Sequence, residues 1–259
     1  MSRPIPLLAL ALLAALPVRA QQPASLTPRQ QLAREVYREL IEINTVDSVG
    51  SVTRAAEAMA RRFRAAGFPA SDVRVLVPPG KPTKGNLVVR YRGRPGATRK
   101  PILLLAHLDV VAALRSDWTL DPFVFTEKDG YFYGRGTGDD KAMASIFVAN
   151  LLEDRKNGWV PDRDVILALT ADEEGGDANG VDFLIERHRA LIDAAFAINE
   201  GGGGSLRDGK PFLNSVQAAE KIYADFTLTA RNRGGHSSVP RPDNAIYELV
   251  DALGRVAHY

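Results

Sequence analysis

The chain has 259 residues, 45% hydrophobic and 25% charged, a composition that is ordinary for a soluble globular protein. Its net charge is only +2, so charge does not favour nucleic acid or an anionic membrane as a partner. The absence of cysteine excludes disulfides and thiolate metal sites and leaves His, Asp and Glu as the available metal ligands.

Residues 1–20 have the pattern of a signal peptide. Arg3 precedes an apolar stretch, Leu7 to Leu16, that is too short to span a bilayer, and Val18-Arg19-Ala20 provides a cleavage site. A membrane anchor is the alternative, but polar sequence follows at once and no cysteine is present to carry a lipid. The sequence therefore predicts a periplasmic or secreted protein, cleaved near Ala20 and without a stable membrane anchor.

Strands and helices alternate from Thr27 onward, which is typical of a layered α/β domain. Four helices are predicted: Thr27 to about Ile43, Ser51 to Gly67, Lys141 to Lys156 and Val181 to Leu191. Five strands are predicted: Val73–Val77, Asn86–Tyr91, Ile102–Leu105, Val165–Thr170 and Ala194–Ile198. Phe123–Phe125 and Tyr131–Tyr133 flank Asp129-Gly130, which predicts a hairpin.

The pattern changes near Gln217. Ile222–Thr229 alternates apolar and polar residues, which predicts a half-exposed strand, and a helix is predicted from Asp243 or Asn244 to Tyr259. Gly201 to Gly204 is interpreted as a flexible linker. Because a strand and a helix make no domain by themselves, the chain is expected to be truncated.

The most informative stretch is PILLLAHLDVVAA, residues 101–113. Its apolar run predicts a strand buried on both faces, and His107 and Asp109 point to the same face at its carboxyl end. Open α/β sheets bind ligands at that end. The spacing suits a metal-binding imidazole oriented by a carboxylate, and a hydrogen-bonded core histidine is the alternative.

Three further acidic clusters follow or adjoin predicted secondary structure: Asp139-Asp140 before a helix, Asp172-Glu173-Glu174 after a strand, and Glu200 after a strand. Taken singly, the first is explained by a helix N-cap and the second by a solvated loop. Together they predict convergence at one sheet edge, where carboxylates repel each other unless a cation is bound. A pair of divalent ions removes this conflict.

Other chemistries lack their motifs. The turn at Gly134 has neither the G-x-G-x-x-G order nor the Walker lysine-serine pattern, which argues against phosphate binding. No G-x-S-x-G nucleophile elbow occurs, and there is no thiol nucleophile.

Five motifs, HLDVV, GRGTGDDK, TADEEGG, NEGG and GGHSSVP, together resemble the dinuclear zinc hydrolase family of aminoacylase, carboxypeptidases G and S, acetylornithine deacetylase and succinyl-diaminopimelate desuccinylase. The resemblance extends from about Thr27 to Tyr259 and is nearest to the carboxypeptidase S and N-acyl amino acid hydrolase branch. It implies a mixed, mostly parallel sheet sandwiched by helices. Residues 21–217 would be the first segment of a zinc-binding catalytic domain, and 218–259 the start of an inserted α+β lid or dimerisation domain.

The resemblance also implies the role of each site residue. One metal would be bound by His107 and Glu200, the other by Glu174, and Asp139 would bridge both, with a cis peptide bond to Asp140. Asp109 would orient the ring of His107, and Glu173 would be the general base. His236 would bind the substrate carbonyl or carboxylate, often across a homodimer.

The implied cofactors are two Zn²⁺ ions, or Co²⁺ or Mn²⁺ in their place. A further histidine ligand of the second metal is expected beyond Tyr259, because His188 lies in a charged helix and His258 in the last helix. The chain by itself is therefore expected to bind at most one metal well and to be inactive.

The leading hypothesis is an exported two-zinc hydrolase of N-acyl amino acids or small peptides that carry a free carboxylate. A deacetylase or esterase of the same family is one alternative, and a non-catalytic binding protein that retains the fold is another. The presence of a base at Glu173 argues against the binding protein.

Overall fold

The structure is a computed structural model that describes residues 25–215, 219, 221–222, 224–236, 238–239 and 241–259. Residue contacts divide the chain into two units, Met1–Glu200 and Gly201–Tyr259. The predicted signal peptide and the predicted boundary at Gln217 lie outside the described residues. Across the described part of the chain, helices long and apolar enough to cross a membrane are absent.

A five-stranded sheet forms the centre of the first unit. Its strands are β1 (Val73–Leu76), β2 (Asn86–Tyr91), β3 (Ile102–His107), β6 (Val165–Thr170) and β7 (Phe196–Ile198). They lie in the order β1-β2-β6-β3-β7, and β2 runs opposite to the other four. The predicted mixed, mostly parallel sheet is therefore confirmed.

Helices cover both faces of this sheet, as predicted. They are α1 (Pro28–Glu42), α2 (Val52–Ala65), α3 (Lys141–Lys156) and α4 (Gly180–Ile192). The side chains of Thr27 and Ser51 cap the first two helices, because each accepts a main-chain hydrogen bond three residues later. The helices α1, α2 and α3 pack on one face of the sheet, and α4 packs on the other.

The alternation of side chains along each strand explains the two layers. In β2, Leu87 and Val89 enter the larger core beneath α1 to α3, whereas Val88 points toward α4. All six residues of β6 are buried, as expected for a strand covered on both faces. The apolar runs that predicted buried strands are thus the runs that form the sheet centre.

The hairpin before α3 is shifted from its predicted position. It consists of β4 (Thr126–Lys128) and β5 (Tyr131–Tyr133), joined by Asp129 and Gly130, which both have positive φ. The predicted strand at Phe123–Phe125 is wrong, because a two-residue turn pairs the residues directly before Asp129 with those after Gly130. Phe125 instead packs edge-on against Tyr37, with ring centroids 5.3 Å apart.

The second unit contains a hairpin and a helix. The hairpin pairs β8 (Gly203–Arg207) with β9 (Lys210–Ser215) across Asp208-Gly209, both with positive φ. The interpretation of Gly201 to Gly204 as a linker is therefore wrong for Gly203 and Gly204, which lie in β8. The overlooked signal was the Asp-Gly dipeptide. The last helix, α5 (Ala245–Ala257), begins after Asn244, whose side chain accepts a hydrogen bond from Ile246 N.

The strand predicted at Ile222–Thr229 is also wrong. The described residues of this segment, 222 and 224–229, are not in a strand. Alternating side chains favour a strand only when a neighbouring strand can pair its main-chain groups, and a single segment gives no information about that neighbour.

Candidate metal centre

The sheet topology brings three acidic or imidazole segments to one edge. β3 is parallel to β6 on one side and to β7 on the other, and His107 is the last residue of β3. Glu173 and Glu174 follow the end of β6, and Glu200 follows the end of β7. Because parallel strands end at the same edge, these side chains converge there.

His107 is the centre of two groups of ligand atoms. The first group is His107, Asp139 and Glu174, and the second is His107, Asp140 and Glu200. In each group one ligand atom per residue lies within 4.8 Å of the others. The Nε2 atom of His107 is 2.7 Å from Asp139 Oδ1 and 3.4 Å from Glu200 Oε1.

Asp140 is a member of this cluster that the sequence analysis did not assign. The pair Asp139-Asp140, taken singly, is explained by a helix N-cap, and Asp140 does occupy that position of α3, but its side chain makes no capping hydrogen bond. The residue is buried, and among the described residues its Oδ2 has no hydrogen-bond partner. The cis peptide bond that the resemblance implied between Asp139 and Asp140 is present.

Asp109 contacts both His107 and the loop that carries Glu174. The Nδ1 atom of His107 is 3.0 Å from the main-chain oxygen of Asp109 and 3.6 Å from its carboxylate Oδ1. The main-chain oxygen is therefore closer to the ring than the carboxylate that was predicted to orient it. The other carboxylate oxygen, Oδ2, accepts a hydrogen bond from Glu174 N at 2.9 Å.

Glu173, the predicted base, lies beside the cluster and is more open to solvent. Its Oε2 is 3.9 Å from His107 Nε2, and its side chain is 52% exposed, compared with 2% for His107. An exposed carboxylate next to a buried polar cluster can exchange protons with water and substrate.

The negative charges of the cluster disturb one another. Burial and the nearby Glu200 raise the pKa of Asp140 to about 7. Burial, with repulsion from Asp139 and Glu173, also raises the pKa of Glu174 and of Glu200. Burial by itself would lower the pKa of His107, but its carboxylate neighbours outweigh it and raise the pKa to about 10. The cluster therefore favours a bound positive charge.

The donor set matches a divalent cation. It combines one imidazole nitrogen with several carboxylate oxygens, which are ligands of Zn²⁺ and similar ions. One buried carboxylate oxygen of the second ligand group, Asp140 Oδ2, has no hydrogen-bond partner among the described residues. Burying a carboxylate oxygen without a hydrogen-bond partner costs free energy unless the oxygen faces a cation. The residues present therefore fit a metal site.

The other three histidines are outside these two groups. His188 packs edge-on against Phe183, with ring centroids 5.1 Å apart. In the second unit, the exposed His236 has its Nδ1 2.7 Å from Ser238 Oγ, and that of His258 is 2.7 Å from Gly254 O. The role of His236 in substrate binding stays a prediction.

A comparison with known protein families identifies the chain. The family model described as peptidase family M20/M25/M40 matches residues 103–257, which is more than half of the sequence. The chain belongs to this family. Its members include metallopeptidases, so divalent metal binding by the clustered side chains agrees with the family assignment.

Several M20 relatives have similar sequences. The chain is 34% identical over 160 residues to the N-fatty-acyl-amino acid synthase/hydrolase PM20D1 of Xenopus tropicalis, covering 60% of this chain and 31% of that protein. It is 35% identical over 179 residues to a probable carboxypeptidase S-like protein of Dictyostelium discoideum, covering 66% and 34%. The chain thus spans about a third of the length of these curated relatives.

Solved M20 structures share the fold. The metallo-carboxypeptidase Sso-CP2 from Sulfolobus solfataricus matches with a TM-score of 0.52 and 22% identity, covering 66% of this chain and 37% of that one. Human carnosine dipeptidase 1 matches with a TM-score of 0.50 and 21% identity, covering 66% and 39%. These similarities confirm the α/β fold with a mixed sheet flanked by helices.

Proposed function

We propose that the full-length protein is an exported two-metal hydrolase of amide bonds in N-acyl amino acids or small peptides that carry a free carboxylate. The convergence of His107, Asp139, Glu174 and Glu200 at one sheet edge, with Glu173 beside them, is the observation that carries the proposal. The similarity to an N-fatty-acyl-amino acid synthase/hydrolase and to carboxypeptidase S-like proteins supports the substrate class.

In this proposal each side chain has one task. The ions would be held by side chains of the two ligand groups: His107 and Glu200 would bind one ion, Glu174 would bind the other, and Asp139 would be shared between them. The chemistry that divalent ions supply when bound is a lowered pKa of water and polarisation of the scissile carbonyl. Asp109 holds His107 and the main chain of Glu174 in place through the contacts on its main-chain and carboxylate oxygens.

Glu173 is the proton carrier. Its carboxylate takes a proton from the attacking water and passes it to the leaving amine. The position of Glu173 supports this role, because its side chain is partly exposed and its Oε2 lies 3.9 Å from His107 Nε2.

Hydrolysis by the purified full-length protein tests the proposal. Metal content is measured after purification, a chelator is then applied, and Zn²⁺, Co²⁺ or Mn²⁺ is added back. Substrates are N-acetyl and long-chain N-acyl amino acids, dipeptides, and the matching amides in which the free carboxylate is blocked. We expect metal-dependent cleavage of the acids and much slower cleavage of the blocked forms. Activity that survives metal removal would contradict the proposal.

Three further parts of the proposal have separate tests. Mature protein that begins at Gln21 would support export.

Residues 218–259 are proposed as the start of a lid or dimerisation domain, which predicts a homodimer in solution. His236→Ala is expected to raise KM while metal content stays unchanged, because the imidazole is proposed to contact substrate and not metal.

A further inference from the structure

A buried ion pair includes the residue that precedes the two glutamates of the site in the chain. Lys84, just before β2, has its Nζ 2.6 Å from Asp172 Oδ1, and it also pairs with Asp47. The side chain of Lys84 is 8% exposed and that of Asp172 is 0% exposed. Asp172 is the residue that immediately precedes Glu173.

The carboxylate of Asp172 closes the turn in which the glutamates lie. Its Oδ2 accepts a hydrogen bond from Ala178 N at 3.2 Å, and its main-chain oxygen accepts one from Asn179 Nδ2 at 3.1 Å. Asp172 itself has a φ of +55°, a left-handed conformation that costs a non-glycine residue free energy unless its surroundings hold it. With Lys84 bound to Oδ1 and Ala178 N bound to Oδ2, both carboxylate oxygens of Asp172 have hydrogen-bond partners.

The residues on both sides of Glu173 are held by hydrogen bonds. On one side Asp172 is bound to Lys84, and on the other side Glu174 N donates to Asp109 Oδ2 at 2.9 Å. The end of β6 is also tied to β2, because Ala171 N donates to Asn86 Oδ1 at 3.0 Å. The main chain of Glu173 has little freedom to move away from His107.

The ion pair is charged and needs both partners. Burial would lower the pKa of Lys84, but Asp172 and Asp47 outweigh it and raise the pKa, so the ammonium is protonated at neutral pH. Removing Lys84 would leave Asp172 as a buried carboxylate without a cation, and a buried charge in that state is strongly unfavourable. The turn would then have to open or rearrange to hydrate it.

We propose that Lys84 and Asp172 are positioning residues that hold Glu173 in the geometry of the general base. This inference rests on the proposed function, since it gives Glu173 a reason to be held. Neither residue belongs to the two groups of candidate metal ligands found among the described residues. They act through the main chain of Glu173, the residue proposed to transfer the proton.

The test compares Lys84→Met with a matched control, Lys81→Met, in the full-length protein. Lys81 pairs with Asp177 and so links the same two segments, but this pair is exposed, at 39% and 71%. We expect Lys84→Met to lower kcat by about 10–100-fold with little change in KM and in metal content. Lys81→Met should stay within about twofold of the wild type, because exposed ion pairs contribute little.

A double-mutant cycle identifies the pair as one unit. Asp172→Asn keeps the size of the side chain but removes its charge, and the double variant Lys84→Met/Asp172→Asn should be no worse than the poorer single variant. Lys84→Arg, which retains the charge, should recover part of the lost kcat. If Lys84→Met does not fold, Asp172→Asn gives the same test.

Hydrogen exchange separates this inference from the proposed function, because it needs no activity. The amide hydrogens of Ala171 and Ala178 should exchange faster in Lys84→Met than in the wild type. In Lys81→Met their exchange rates should be unchanged. An inactive wild type with these exchange changes would reject the hydrolase but keep the ion pair as the support of the turn. A kcat within twofold of the wild type, unchanged exchange, or a loss of activity that only follows loss of metal would overturn the inference.

Discussion

Two turns of the first unit deliver carboxylates to the same site, and each contains one buried acid. In the first acidic turn, residues 134–140, the buried acid is Asp140, and its Oδ2 has no hydrogen-bond partner among the described residues. In the second acidic turn, residues 171–179, the buried acid is Asp172, and both of its oxygens are partnered. Burial by itself does not separate an acid that is available to a cation from one that supports the backbone.

The lysine near each turn shows the same difference. Lys141, after the first turn, donates to the main-chain oxygens of Leu40 and Ile43, and burial lowers its pKa to about 7. Lys84, behind the second turn, binds carboxylates, and its pKa is raised. The protein therefore supplies Asp172 with its own hydrogen-bonded cation, whereas the acids at the first turn face one another and His107.

The largest expected effect follows from Glu173→Gln, which breaks the second turn's chemistry and leaves its structure intact. An amide cannot accept the proton of water, so turnover should fall about 10²–10⁴-fold. Metal content should remain near normal, because Glu174 is unchanged. The matched variant Glu174→Gln should lose metal. If Glu173→Gln instead lost metal and kept its rate per metal, the two glutamates would have to exchange roles.

The second prediction uses two neighbouring glycines to test how rigidly the second turn is held. Gly175 and Gly176 both have positive φ, +139° and +110°, so alanine at either position should cost about 1–3 kcal/mol. A Cβ on Gly176 would lie 2.3 Å from Asp172 Oδ2, whereas one on Gly175 meets no described atom within 4 Å. Because Asp172 is held by Lys84, Gly176→Ala should cost a further ~1–3 kcal/mol. Equal free energies of unfolding for the two variants would show that Asp172 can move.

The two turns also show how far sequence reasoning reaches. The apolar runs predicted β3 and β6 because burial on both faces leaves a continuous pattern, and the strand ends then placed His107, Glu174 and Glu200 together. Asp140 was grouped with the converging acids but given no role of its own, because an Asp-Asp dipeptide does not show which of its two side chains is buried. Lys84 was missed because its partner, Asp172, lies 88 positions later.

The wrong strand predictions have one cause. Side-chain patterns typical of strands occur in both segments, Phe123–Phe125 and Ile222–Thr229. A strand also needs a neighbouring strand to pair with its main-chain groups, and turn geometry decides which residues are paired. At the hairpin, Asp129-Gly130 sets the register and moves the first strand to Thr126–Lys128. The same dipeptide signal at Asp208-Gly209 was overlooked, although it marks the turn between β8 and β9.

The third prediction sharpens the comparison of the lysines through pH. The folded pKa of Lys141, about 7, lies below its ordinary value of 10.5, so the unfolded state binds more protons between these values. Stability should therefore rise with pH from about 7 upward, by at most about 1.4 kcal/mol per pH unit. Lys141→Met should lose this rise, which urea unfolding at pH 7 and pH 9 measures.

Lys84 is the internal control for that measurement. Its pKa is raised, so its contribution to stability is fully present below pH 10.5 and is lost only as the pH rises further. Between pH 7 and pH 9 the difference in unfolding free energy between wild type and Lys84→Met should stay constant. A changing difference for Lys84, or a constant one for Lys141, would contradict the contrast between the two turns.

The smallest expected effect concerns a hydrogen bond that holds the first turn from α1. The hydroxyl of Tyr37 donates to Thr137 O at 2.6 Å, and burial raises the pKa of Tyr37 to about 12. Tyr37→Phe should lower the free energy of unfolding by about 0.5–1.5 kcal/mol. The folded state keeps the phenol neutral, so the wild type should also lose stability as the pH rises from 10 to 12, and the variant should lose less.

Tyr91→Phe is the matched control, since Tyr91 donates to Trp159 O, away from both turns. Because the Tyr37 hydroxyl holds the first turn, Tyr37→Phe should weaken metal binding slightly and Tyr91→Phe should leave it unchanged. Equal metal affinities in the two variants would show that Tyr37 is not needed to hold the turn.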